Sequence, residues 1–215
     1  MVGLACAHYL AQAGRDVCIV ERDEVGSGAS HGNCGLVVAS YLLPLCVPGV
    51  VSKELPGLLR PDSPLYIRPA FDPGLWGWLL RFAARCRPAF VRQAVAAREC
   101  LLSSSDRLFQ ELFRDHAIEA EYERAGHLIV CRSEKTMEGY AAENEALRPF
   151  GHAALPLVGR ALLDLEPALR EDLYGAWYHA TDSHLRSDRL LRSWKDHLLG
   201  CGVRIEEGCR LEELR

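Results

Sequence analysis

The sequence predicts an α/β fold, and three observations predict it: an opening helical pattern that stops at a glycine, an apolar β-branched run directly behind it, and a second helix-then-strand pattern at the far end of the chain. Residues 1–13 place Leu4, Ala7, Tyr9, Leu10 and Ala13 among small neighbours, as expected of a helix packed on a sheet. Gly14 supplies the left-handed stop. Residues 16–21 read Asp-Val-Cys-Ile-Val-Glu, a strand expected to be covered on both faces. Helix, glycine and buried strand make half of a βαβ unit. That half-unit calls for an earlier strand, so the chain is read as starting inside the first turn of the fold.

The remaining elements follow in order. Residues 25–35, Val-Gly-Ser-Gly-Ala-Ser-His-Gly-Asn-Cys-Gly, form a glycine-rich loop. An apolar, proline-marked segment spans 42–59, and 60–69 is an irregular connection. Apolar positions recur at helical spacing over 76–86 and 90–116, the second stretch offering Leu101, Leu108 and Leu112 to a core. Residues 122–132 contain a strand pattern around Gly126-His-Leu-Ile-Val-Cys. A helix is expected over 137–150, a short proline-broken helical turn over 161–169, and a strand over 173–178. Residues 187–199 read as a helix with Ser187 as its N-cap and Gly200 or Gly202 at its end. A strand over 203–206 comes last, followed by Gly208 and Leu211.

Composition narrows the function. Hydrophobic residues make up 49% and charged residues 25%, the balance of a soluble globular protein. A net charge of -4 argues against a general nucleic-acid binder, whose footprint is basic. Nine cysteines show no C-x-x-C spacing and several sit in apolar runs, which reads as reduced, buried thiols of a cytosolic protein. No apolar run reaches the ~20 residues of a membrane span, and no charged n-region with an apolar core opens the chain. The eight histidines are scattered, with no H-x-x-x-H or H-E-x-x-H, so no metal site is expected. The G-x-x-x-x-G-K-[ST] phosphate loop is missing.

One motif carries chemistry. A dinucleotide fold uses G-x-G-x-x-G between its first strand and helix, so that the backbone can approach a pyrophosphate held by helix N-terminal amides. Gly3 stands at the last glycine of such a motif. Glu21 ends the next strand at the spacing of about 20 residues where an acidic side chain binds the adenosine ribose. Together they point to a Rossmann-like domain, incomplete at its start.

Val2-Gly-Leu-Ala-Cys-Ala-His-Tyr-Leu-Ala-Gln-Ala-Gly and Val17-Cys-Ile-Val-Glu-Arg resemble the opening of the D-amino-acid oxidase/glycine oxidase superfamily. Ser30-His-Gly-Asn-Cys-Gly, followed by Pro44 and Pro48-Gly, is most similar to its D-amino-acid dehydrogenase-like branch. So are Pro61-Asp-Ser-Pro-Leu-Tyr-Ile-Arg-Pro, Asp72-Pro-Gly-Leu-Trp, Leu165-Glu-Pro-Ala-Leu and Asp182-Ser-His-Leu-Arg-Ser-Asp-Arg-Leu. The resemblance covers nearly all of this chain and about half of a family member. It implies FAD as cofactor, an FAD-binding domain built from 1–50 and 181–215, and an α+β substrate-binding domain inserted over 51–180. In the family a glycine would fall immediately before Met1. Carried onto this sequence, the cofactor-binding residues are Gly3, Glu21, Arg22, Ser30, His31, Asn33, Gly35 and Leu211. The last replaces the family's usual valine.

The implied reaction is oxidative deamination: hydride passes from the substrate α-carbon to the flavin, and water hydrolyses the resulting imine. The family's carboxylate-clamping arginine generally comes from the C-terminal half, outside this chain. Arg68, Arg81 and Arg186 read instead as surface or loop arginines, His31 as a loop histidine bonded to backbone, His8 as structural, and Tyr66 and Tyr178 as core residues. The catalytic residues stay unassigned. The alternatives are a glycine, sarcosine or hydroxyproline oxidoreductase of the same superfamily, an inactive truncated fragment, or, more weakly, an NAD-dependent dehydrogenase. The resemblance leaves the electron acceptor open between quinone and oxygen, and implies a cytoplasmic protein or one held peripherally at the inner face of the membrane.

Overall fold

The chain opens on a helix, α1 (Val2–Gln12), which runs into a short strand, β1 (Cys18–Val20). The computed structural model describes residues 1–54, 67 and 71–213. Gly14 adopts φ +71° as the chain turns between α1 and β1, the expected left-handed stop. At the far end α7 (Ser187–Gly200) leads into β7 (Arg204–Glu206). β1 and β7 pair in parallel, Ile19 opposite Ile205, and α1 packs against α7. The two ends of the sequence thus build one α/β layer.

That layer departs from the expected burial. Cys18 and Val20 are exposed and only Ile19 is half-buried. The strand is therefore not covered on both faces: α1 lies against it, and among the described residues β7 is its only ladder partner.

Between the ends lie β2 (Leu36–Val37), α2 (Val50–Glu54), α3 (Pro73–Arg85), α4 (Pro88–Asp115), β3 (His127–Cys131), α5 (Glu134–Leu147), β4 (Leu155–Val158), α6 (Arg160–Leu165), β5 (Gly175–His179) and β6 (Ser183–His184). Asp72 caps α3 by accepting from the Gly74 and Leu75 amides, with Pro73 in the first turn, which is why the helix starts there. Ser133 caps α5 in the same way through the Thr136 amide. β3, β5 and β4 form an antiparallel sheet with β5 in the centre. β4 was not anticipated; Pro156 interrupts its pattern, and it occupies an edge, where proline is tolerated. β2 and β6 pair antiparallel and stitch the chain after the glycine-rich loop to the segment leading into α7.

The main core gathers Leu4 and Ala7 of α1, Leu112 of α4, Ile118, and Leu190, Leu191, Trp194 and Leu198 of α7. Fully burying a leucine such as Leu190 contributes about 1.5–3 kcal/mol. A smaller cluster joins Leu42, Val95 and Leu147. Leu101 does not reach a core; it is 72% exposed, because the buried positions of α4 are Val95 and Leu112. Nor are the thiols buried: Cys131 is, Cys46 and Cys86 are half-covered, and the other six are exposed. Apolar neighbours such as Ala7 beside Cys6 and Ile19 beside Cys18 turn toward the main core while the thiols face outward. Ser187 is not the N-cap of α7; Arg186 holds that position, and the Ser187 hydroxyl donates to the His31 carbonyl instead.

Candidate functional site

The β1–β7 pairing continues one residue past the strand, the Glu21 amide donating to the Glu206 carbonyl at 2.9 Å. The returning chain then crosses the same spot, with Cys209 N–H on the Glu21 carbonyl and Gly208 N–H on that of Asp23. This fixes Glu21 at the carboxyl end of a parallel strand. One of its carboxylate oxygens accepts from the Asp23 amide at 3.1 Å. The group also lies close enough to the Met1 ammonium to raise its pKa, against a larger lowering by burial. Glu21 thus lies within electrostatic reach of the residue that opens α1. Among the described residues the first turn of α1 holds no acidic side chain and no side-chain cap.

Gly3 sits in the same turn, and a Cβ there would meet nothing within 4 Å among the described residues. The structure thus shows open space over the helix start rather than close helix–strand packing. A carboxylate at the strand tip and an uncapped helix start with room over it fit the adenosine diphosphate half of a dinucleotide. Arg22 is exposed and turned onto Asp23 at 2.8 Å.

The glycine-rich loop is shaped by its own polar groups. Asn33 donates to the Ser30 carbonyl at 2.7 Å and accepts from the Gly35 amide at 2.8 Å. Its side chain is engaged in holding the turn. His31 is exposed, and its carbonyl is gripped by Ser187. Gly35 is buried at φ +67°, where an added Cβ would collide with the Leu185 carbonyl; its own carbonyl accepts from Leu185 N–H at 2.8 Å. Leu211, two residues past the Glu21 crossing, is 60% exposed. Gly3, Glu21 and Arg22 are thereby gathered at one end of β1, while Ser30, His31, Asn33 and Gly35 line the loop held to α7. Arg81 is exposed and Arg186 pairs with Asp188, as surface arginines do. Arg68 and Tyr66 lie outside the described residues. Tyr178 is half-buried, its hydroxyl donating to the Ala125 carbonyl.

Sequence reasoning missed a buried polar network. Asp182, wholly buried, accepts from the Ser40 hydroxyl at 2.6 Å and the Ser40 amide at 3.2 Å, with His127 Nδ1 3.5 Å away. Nearby, His179 Nε2 lies 3.0 Å from the Tyr140 hydroxyl and its Nδ1 lies 3.1 Å from the His152 carbonyl. Burial pushes the Tyr140 phenol up to about 12, with Glu143 and Asp182 adding to the effect. Burial also holds the His179 imidazole below its ordinary value, more strongly than Asp182 raises it. Ser40 and Tyr140, with Tyr41, Arg98, Ile129 and Glu143, border a cleft of about 550 Å³. The only sequence signal was Asp182-Ser-His, noted for resemblance; its burial arises from tertiary packing.

A parallel strand pair tipped by an acid, an uncapped helix start and a loop clasped to the returning helix define a dinucleotide-binding α/β protein. The FAD dependent oxidoreductase (DAO) family model matches residues 1–215, and the chain belongs to that family. It is 33% identical over 187 residues to D-amino acid dehydrogenase 2 of Pseudomonas aeruginosa, covering 86% of this chain and 44% of that protein. With D-amino acid dehydrogenase 2 of Ralstonia nicotianae it shares 37% over 185 residues, 83% of this chain and 43% of the other. Among solved structures, glycine oxidase from Bacillus cereus superposes with a TM-score of 0.65 at 19% identity, over 99% of this chain and 45% of that one. L-amino acid deaminase from Proteus vulgaris gives 0.64 at 15%, over 99% and 39%. The chain spans less than half the length of these relatives. Among the described residues no helix is long and apolar enough to cross a membrane.

Proposed function

We propose that this chain builds the N-terminal part of an FAD-dependent enzyme that oxidises the C–N bond of an amino acid, in the manner of a D-amino-acid dehydrogenase. The observation that carries the reading is the parallel β1–β7 pairing, which sets the Glu21 carboxylate within electrostatic reach of the residue that opens α1. Glu21 would hold the adenosine ribose, and the α1 amides would face the diphosphate with Gly3 keeping the approach clear. Ser30, His31 and Gly35 would run along the flavin side, Asn33 would hold that loop in shape, and Arg22 and Leu211 would flank the adenosine. When bound, FAD supplies the hydride acceptor. In this reading residues 1–50 and 181–215 belong to the FAD-binding domain. Residues 51–180 belong to the substrate-binding domain, whose antiparallel sheet borders the cleft at Ser40 and Tyr140. The D-amino acid dehydrogenase relatives support a D-amino acid as substrate; a quinone or oxygen as acceptor, and a cytoplasmic location with peripheral docking at the inner membrane face, are part of the same proposal.

The test titrates the purified chain with FAD and reads protein-bound flavin absorbance. Glu21→Ala removes a charged hydrogen-bond acceptor worth about 1.5–3 kcal/mol, so FAD affinity should fall roughly 10- to 100-fold. No flavin spectrum at saturating FAD would refute the cofactor site. The intact protein is then assayed with D-amino acids against glycine and sarcosine, with dye and with oxygen. Preference for glycine or sarcosine would overturn the substrate class.

A further inference from the structure

Three of the eight histidines, far apart in sequence, converge where α1, the end of α4 and α7 meet. His8 lies on the buried side of α1 and is 3% exposed; His116 is the C-cap of α4; His197 is in the last turn of α7. One ring nitrogen from each falls within 4.8 Å of those of the other two. The rings are 4.8 Å apart for His8 and His116, and again for His116 and His197. They stand on the main core, with Trp194 edge-on to His8 at 5.8 Å.

We infer that His8, His116 and His197 form a binding site for a borderline transition-metal cation of the Zn²⁺, Ni²⁺ or Cu²⁺ class, which staples α1 to α4 and α7. Ligands at about 2.1 Å in a tetrahedron stand about 3.4 Å apart, so the imidazoles need close by no more than about 1.4 Å, within reach of small side-chain rotations. The Gln12 amide nitrogen lies 3.1 Å from His8 Nε2 and 3.2 Å from His116 Nε2. With that amide as donor, both nitrogens already aim lone pairs at a common point. Cys201 Sγ, one helical turn from His197 and 3.6 Å from its Nε2, is placed to be a fourth ligand. Three imidazoles without a carboxylate select this class of metal over Mg²⁺ or Ca²⁺.

The purified chain, stripped by chelator and kept reduced, is titrated with Co²⁺ as a spectroscopic probe and with Zn²⁺ against a chromophoric chelator. The expected result is one tight equivalent, ligand-field bands of tetrahedral intensity, and a rise in Tm with Zn²⁺ but not with Mg²⁺. His116→Gln and His197→Gln should each weaken binding by more than the about 10–100-fold that loss of an outer-sphere partner costs. His116→Cys, which keeps a ligand at that position, should restore binding and guards against a merely misfolded variant. Binding that survives both glutamine variants, or no tight equivalent at all, would overturn the site. The readout does not depend on FAD, so failure of the cofactor reading leaves it standing.

Discussion

Replacing Asp182 with alanine should be among the most damaging single changes in this chain. Its wholly buried carboxylate takes two hydrogen bonds from Ser40, at 2.6 and 3.2 Å, and faces His127 at 3.5 Å. The alanine leaves the Ser40 amide and hydroxyl buried without their acceptor. Each bond to a charged group is worth about 1.5–3 kcal/mol, and unpaired buried donors add their desolvation cost. Stripping one partner from a buried charged cluster typically costs about 3–5 kcal/mol. At roughly 2–4 °C per kcal/mol for a chain of this size, Tm should fall by about 6–20 °C. The assay is urea denaturation followed by circular dichroism, with Ser40→Ala and the double variant completing a cycle. A coupling of about 1–3 kcal/mol between the two sites is expected. Asp182→Ala within about 0.5 kcal/mol of the parent, or additive effects of the two changes, would refute the claim that this pair clamps residues 39–41 to the β5–β6 turn.

Two further outcomes follow from the structure. Gly35→Ala forces a Cβ onto a left-handed backbone and into the Leu185 carbonyl, so it should lose more than the roughly 1–2 kcal/mol of the conformational penalty alone. Limited proteolysis should then cut faster within 25–35, and an unchanged pattern would count against the clasp. His179 is held neutral by burial, so its folded-state pKa lies below its unfolded value of about 6.5. The unfolded chain takes up the proton first. Stability is therefore full above pH 6.5 and declines as pH falls through and below it. Tm should be lower at pH 5.5 than at 7.5, and His179→Asn should flatten that difference; an equal slope in the variant would remove His179 as the cause.

The sequence read the long helices well because α3 and α4 carry periodic apolar positions and start at prolines. The parallel edge was legible too, since helix, Gly14 and Cys-Ile-Val stand in order. Two-residue strands such as β2 and β6 have no periodicity to detect, and Pro156 hid β4. At the site, Glu21 could be placed from strand position alone. The burial of Asp182 and the meeting of His8, His116 and His197 could not, because each depends on contacts between distant segments. The cysteines misled for a related reason: apolar neighbours in sequence say nothing of what covers them in space.

The pairing of Cys18–Val20 with Arg204–Glu206 also sets a schedule for synthesis. At 5–20 residues per second the later strand leaves the ribosome roughly 10–40 s after the earlier one. For that interval a Cys-Ile-Val edge waits without its mate. Such a nascent segment is a docking point for chaperones, and a place where mistimed translation would lead to aggregation rather than assembly.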